Sequence, residues 1–220
     1  DVGTASVKVG VYDGNLKPLL TTSVDYSLSS HGDFVEFDAM AYFDIVRDAI
    51  ADAKGEYKID ALAIDTQCET LILTDEDGNP VRDAIVWLDN RAVAEAELIR
   101  ERFGNRRVYE VTGQPEITAT WPAAKLLWVR RNEPDVWGRV KKIFLLEDWL
   151  LYKLTGRFVS EYTLQSSTIY FDIKKSVWWE EMLDFIGVSS SMLPKLNNQN
   201  ENKGDRRPGS VRNGDFALFG

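Results

Sequence analysis

The chain has 220 residues, 44% hydrophobic and 11% aromatic, enough for one domain with a sizeable core and a small annex. Its formal charge of −9 argues against a general nucleic-acid or anionic-membrane surface, while leaving room for a local basic pocket. One cysteine excludes an intramolecular disulfide framework and suits a reducing, cytoplasmic setting. With a single histidine beside it there are too few soft ligands for a structural zinc site, and no apolar run approaches a membrane span.

The first stretch, Asp1-Val-Gly-Thr-Ala-Ser-Val-Lys8, places an acid, a Gly-Thr turn, small residues and a cation ahead of an apolar run. Glycine allows close backbone approach, successive N–H groups with a hydroxyl cradle phosphate, a carboxylate holds Mg²⁺, and lysine neutralises phosphate charge. An ordinary hairpin tip has the same composition. No apolar strand residues precede Asp1, although such a motif needs a strand leading into it, so upstream residues are expected. Residues 7–12 and 16–27 read as the arms of a hairpin around Asp13-Gly14-Asn15. The polar stretch 29–33, with His31, reads as a break. Asp38 then caps a helix whose apolar positions recur near helical spacing, ending at Lys54-Gly55.

Residues 59–66 read as a strand buried on both faces, from the unbroken run Ala61-Leu62-Ala63-Ile64. It empties into Thr66-Gln67-Cys68-Glu69-Thr70, where α/β folds bind ligands. Gln67 and Glu69 suit the hydroxyls of a polyol or sugar; a polar connecting loop is the bland alternative. Cys68 has no histidine or cation beside it and reads as a small apolar filler rather than a nucleophile. A second hairpin, residues 71–74 with 84–87, delivers Trp87-Leu88-Asp89-Asn90-Arg91. Asp89 and Arg91 read as an ion pair fixing the next helix, capped by Asp89 or Asn90 and closed by Gly104. Residues 108–186 read as largely helical, with Pro122 opening one helix, Pro134 another, a short strand at 141–146, a helix from Glu147 to Thr155 and a tryptophan-rich helix over 177–186. The tryptophans are core or interface residues by default, Trp121 being the candidate sugar-stacking face. Residues 197–209 read as an exposed loop or linker, and Gly214-Asp215 leads into an apolar stretch that ends the chain.

Taken together, Asp1–Lys8, Ile64–Thr70, Asp77-Gly78-Asn79-Pro80, Ala84–Arg91, Thr112-Gly113, Lys125–Trp128, Asp148-Trp149-Leu150, Tyr152–Gly156 and Met192–Lys195 resemble, in order and spacing, the FGGY carbohydrate kinases. The resemblance covers residues 1–196. It implies an α/β, ribonuclease-H-like (actin/hexokinase/Hsp70-type) domain with a helical insertion at about 105–190; the polar composition makes 197–213 a loop or linker. The resemblance also implies a second, nucleotide-binding domain, absent here, so the sequence reads as the N-terminal half of a kinase roughly twice as long and inactive by itself. The implied chemistry is transfer of a phosphoryl group from MgATP to a ketose or polyol hydroxyl. Asp1 would hold the metal. Gly3, Thr4, Ser6 and Lys8 would meet the phosphates. Gln67, Cys68, Glu69, Thr120 and Trp121 would contact substrate, and Asp215 would be the general base. Asp215 follows Pro194 more closely than the family pattern; either residues are missing between them or it is not the base. Glycerol kinases carry Gln-Arg-Glu-Thr where this chain has Gln67-Cys68-Glu69-Thr70, and a tyrosine at Thr120; the Gln-Met-His-Gly of xylulokinases is not matched either. The substrate stays open among sugars and polyols, as does a homodimer. A non-catalytic binding or interaction module on an actin-like fold is the alternative. A ribonuclease-H-class hydrolase would need several clustered carboxylates, of which only Asp1 is well placed.

Overall fold

The computed structural model describes residues 1–55 and 57–197, together with the backbone of Gly204–Asp205 and Ala217–Phe219. β1 (Ser6–Tyr12) and β2 (Pro18–Asp25) pair antiparallel, from Ser6 opposite Asp25 to Val11 opposite Leu20. Asp13 closes the turn, its carboxylate accepting from the Asn15 and Lys17 amides at 2.8 and 3.0 Å. The break expected at 29–33 is instead a second hairpin, β3 (Ser29–His31) against β4 (Phe34–Phe37), turning at Gly32 with φ +62°. All of β3 is exposed, so it pairs through backbone alone and carries no apolar alternation to betray it.

α1 (Ala39–Lys54) starts where expected, with the Asp38 carboxylate accepting from the Met40 and Ala41 amides at 2.8 and 3.1 Å. Gly55 ends it at φ +46°. Beyond it lie β5 (Ala61–Ala63), β6 (Leu71–Thr74) and β7 (Ala84–Ile85). The strand expected over 59–66 is corrected in length and burial. β5 spans three residues, and Ala61 and Ala63 are exposed beside an open cavity of about 610 Å³ lined by residues of β1, β5 and α1. The strand buried on both faces is β6, in which every residue is at most 1% exposed.

α2 (Val93–Phe103) has Ala92 at its N-cap with no side-chain cap, which corrects the expected Asp89 or Asn90 cap. Asp89 instead spends its oxygens on Arg91 and on the Val35 amide. α3 (Asn105–Thr112), α4 (Pro122–Asn132) and α5 (Pro134–Trp137) follow, the last two opening on proline as expected. Next come β8 (Lys142–Leu145), α6 (Leu146–Thr155), β9 (Val159–Glu161), α7 (Tyr162–Gln165), β10 (Phe171–Asp172) and β11 (Val177–Trp178). α8 (Glu180–Ile186) starts three residues after the helix expected from Val177, because Val177 and Trp178 pair with β10. β12 (Lys195–Asn197) runs parallel to β9, and β13 (Gly204–Asp205) and β14 (Ala217–Phe219) extend the edge of β5, β14 running parallel to it.

The sheet that organises the molecule has the order β3-β4-β7-β6-β8 and is antiparallel throughout. Alternation along its strands divides two cores. Leu71, Leu73, Ile85 and Ile143 face one, with α2, α3, α4 and α8 packed over them. Ile72, Ala84, Val86 and Phe144 face the other, beneath α1, α6 and Val7 of β1. Trp149, fully buried, anchors the second core and donates its indole N–H to the Gly78 carbonyl at 3.1 Å.

Candidate active site

Asp1 and Val2 lie between two extended segments. The Lys8 amide donates to the Asp1 carbonyl at 2.8 Å on one side. On the other, the Val2 amide donates to Asp65 O at 2.7 Å and the Gln67 amide to Val2 O at 3.0 Å. The chain then folds back in one turn, with the Gly3 amide on Ser6 O at 3.0 Å. A Cβ on Gly3 would stand 3.4 Å from that same oxygen, an ordinary contact. The Gly3 carbonyl is pinned from behind by the hydroxyls of Tyr26 and Tyr42. Burial pushes both phenols up, which keeps them neutral donors. At the tip, the Thr4 and Ala5 amides have no hydrogen-bond partner among the described residues. The exposed Lys8 ammonium lies 3.5 Å from the Asp1 carboxylate. Free amides, a hydroxyl and a cation on a tight turn are donors fitted to phosphate oxygens.

The segment after β5 returns to this turn. Thr4 Oγ1 donates to Gln67 Oε1 at 3.2 Å, joining two stretches 63 residues apart. Glu69 sits at φ +59°, a left-handed conformation that a non-glycine residue adopts at a cost. Burial raises its carboxyl pKa, opposed by a hydrogen bond with Ser167 and by the charge of Lys125. Cys68 is exposed, correcting its reading as an apolar filler. Partial enclosure and the negative charges of Glu69 and Glu147 push its thiol up, so it is no thiolate nucleophile.

Two residues of this neighbourhood were legible in the sequence only as members of motifs, without a place at the site. Trp87 Nε1 donates to Thr4 Oγ1 at 3.1 Å. Lys125, fully buried, donates from Nζ to the carbonyls of Val86 at 2.8 Å and Trp87 at 3.3 Å. Burial lowers its pKa to about 7, against the opposing pull of Asp89 and Glu69. A lone lysine amid Ala123, Ala124, Leu126 and Leu127 was the available signal, since a charge on the apolar face of a helix needs a buried partner. Asp89 and Arg91 form the expected structural ion pair, at 2.7 Å and buried, with Arg91 also reaching Glu36 at 2.6 Å. Thr120 and Trp121 stand at the start of α4, both half-buried. Trp121 packs against the first core and gives its indole N–H to Glu116 O at 2.7 Å. The Ala123 amide meets Thr168 O at 3.3 Å, next to the Ser167 that contacts Glu69. Asp215 and most of the 197–213 stretch lie outside the described residues.

For a metal, the donor at the turn is the Asp1 carboxylate, with the negative charge of Asp65 acting on the Asp1 amino group; among the described residues no group of three or more His, Cys, Asp or Glu side chains could hold an ion. That donor set fits magnesium, which keeps several waters and binds through one or two carboxylates plus nucleotide phosphates. It does not fit a dedicated protein cage.

Comparison with known proteins gives the class first. The chain superposes on a ligand-bound xylulose kinase and on a gluconate kinase, both from Lactobacillus acidophilus, each with TM-score 0.92 and 26% identity over 99% of this chain and 46% of the other. It is therefore an α/β protein of the ribonuclease-H-like, actin/hexokinase type. Among curated relatives, the xylulose kinase of Lactococcus lactis is 29% identical over 89% of this chain and 40% of its own length. The glycerol kinase of Thermococcus onnurineus is 32% identical over 91% of this chain and 42% of its own length. The profile of the FGGY family of carbohydrate kinases, N-terminal domain, matches residues 1–213. The chain belongs to that family, and it spans about two fifths of the length of these curated relatives.

Proposed function

We propose that the polypeptide carrying this chain transfers a phosphoryl group from ATP to a hydroxyl of a sugar or polyol. The observation that carries this reading is the hydrogen bond from Thr4 to Gln67. It joins a turn fitted to phosphate to a strand-end segment fitted to hydroxyls, the two halves a phosphotransferase must hold in register. Membership of the carbohydrate-kinase family supports it.

In this reading the Thr4 and Ala5 amides, with Gly3, Ser6 and Lys8, bind and orient phosphate oxygens. Asp1 would hold the magnesium that accompanies ATP. That ion, when bound, neutralises charge on the phosphates. Gln67, Cys68 and Glu69 face the acceptor, with Thr120 and Trp121 on the α4 side. The acceptor oxygen bonds to the γ-phosphorus as the bond to the β–γ bridging oxygen breaks. ADP leaves, and the hydroxyl proton passes to a carboxylate, for which Asp215 is the candidate. The expected setting is cytoplasmic, and among the described residues no helix is long and apolar enough to cross a membrane.

A coupled ADP-release assay of the full polypeptide over pentuloses, hexuloses and polyols tests the proposal. Turnover of at least one class is expected. Failure on all of them, with saturable binding of a sugar retained, would move the protein to a non-catalytic binding module.

A further inference from the structure

We propose that Asp148 is a positioning residue: its carboxyl, carrying a proton on Oδ1, closes a two-bond acid–amide pair with Gln165 and so fixes the segment 165–168 beside Glu69. The pair stands on its own geometry; its effect on the acceptor rests on the kinase reading above.

Asp148, in the first turn of α6, and Gln165, at the end of α7, are each 1% exposed. Gln165 Nε2 donates to Asp148 Oδ2 and to Ser160 Oγ, both at 2.9 Å, which uses both of its protons. The other oxygen of each side chain, Asp148 Oδ1 and Gln165 Oε1, is buried without a hydrogen-bond partner. A buried acceptor left in that state is costly. With Asp148 ionised, both oxygens can only accept, so neither can satisfy the other. Turning the amide over would set oxygen against oxygen at 2.9 Å. One proton on Oδ1, donated to Oε1, satisfies both orphaned atoms at once.

The surroundings favour the neutral acid. Burial pushes the Asp148 carboxyl well above the usual carboxylate range, and the charges of Glu147 beside it on α6 and Glu161 at the end of β9 push the same way. The Ser160 hydroxyl and the Leu145 amide pull the other way, but neither reaches Oδ1 within hydrogen-bond distance. Tyr170, which follows α7, is itself kept neutral by burial.

Gln165 heads a segment that touches both sides of the acceptor region. Ser166 O accepts from Gln114 Nε2 at 3.0 Å, and Ser167 hydrogen-bonds with Glu69. Thr168 O accepts from the Ala123 amide at 3.3 Å, at the start of α4 beside Thr120 and Trp121. Releasing the pair loosens this backing without removing a group that meets the nucleotide, so the cost falls on the acceptor KM rather than on that of MgATP.

Infrared difference spectra of the full polypeptide, isotope-labelled at aspartate, read the proton directly as parent minus Asp148→Asn at neutral pH. A protonated-acid carbonyl band is expected in the parent and lost in the variant. A carboxylate doublet in its place would mean an ionised Asp148, with water between the two oxygens, and would overturn the proposal. In turnover, Gln165→Met and Asp148→Ala are expected to raise the acceptor KM about tenfold with the KM for MgATP within about threefold. Asp148→Asn, whose amide offers Gln165 Oε1 the same donor, is expected to stay within about twofold of the parent on both. An unchanged acceptor KM in Gln165→Met, or an Asn variant as impaired as the Ala one, would overturn the positioning role. If the parent turns over no sugar or polyol, the kinase reading fails, while the infrared comparison still decides whether the pair exists.

Discussion

Lys125 Nζ donates to the Val86 carbonyl at 2.8 Å inside a site with no solvent exposure, so a helix of one core holds the strand end of the other. The arrangement costs a buried cation and gains two satisfied carbonyls. Burial lowers the lysine pKa to about 7 in the folded state from 10.5, so between those values the unfolded chain binds more protons. Stability should therefore rise as pH goes from about 7 towards 10, and part of that rise should vanish in Lys125→Met. Urea unfolding of both proteins at pH 7 and pH 9.5 measures it. A parallel pH response in the two would show that Lys125 is not the titrating group.

Asp148 gives the opposite sign. It is 1% exposed, accepts from Gln165 Nε2 at 2.9 Å, and its carboxyl is raised well above the usual range by burial first and then by Glu147 and Glu161. A raised carboxyl contributes stability that is full below the unfolded value of 3.8 and is lost as pH rises through the folded one. Asp148→Asn, which cannot ionise, should be at least as stable as the parent at pH 8 and lose its advantage by pH 5. Chemical denaturation at the two values checks this.

The Asp89–Arg91 pair should behave as a buried ion pair. Asp89 is fully buried and also accepts from the Val35 amide at 2.7 Å. Asp89→Ala strands the guanidinium and that amide, and a loss of about 3–5 kcal/mol is expected. Because the pair is shielded from solvent ions, raising salt to 1 M should change the deficit little; recovery with salt would mark the pair as a surface one.

Gly78 stands at φ +82° at the tip of the β6–β7 connection, where an added Cβ would overlap the Tyr152 ring. Gly78→Ala should cost about 1–3 kcal/mol through strain and overlap. Combining it with Tyr152→Leu should cost less than the sum of the two single changes, as measured by thermal unfolding.

Lys8, exposed and beside Asp1, tests the phosphate reading of the turn. Lys8→Met should raise the KM for MgATP about tenfold in the full polypeptide while leaving Tm within about 1 °C, since exposed pairs contribute little to stability. An unchanged KM would remove Lys8 from the phosphate site.

Much of this was legible in the sequence because it is local. The Asp13 turn, the Asp38 cap, the glycine ends of α1 and α6 and the prolines opening α4 and α5 depend on a few adjacent residues, and they stand where the sequence placed them. The family pattern, being a matter of motif order and spacing, was legible too. Tertiary structure alone decided what depends on distant partners. Ala61-Leu62-Ala63 and Leu71-Ile72-Leu73 are both short apolar runs, yet the first lines an open cavity and the second is sealed between two cores, because burial depends on what packs above and below a strand. β3 exists through pairing with β4 rather than through its own side chains. At the site, residues 3–8 and 67–69 announced their chemistry by type. The parts of Trp87 and Lys125 did not, because each consists of a single hydrogen-bonding atom brought by the fold to a backbone or hydroxyl far away in sequence.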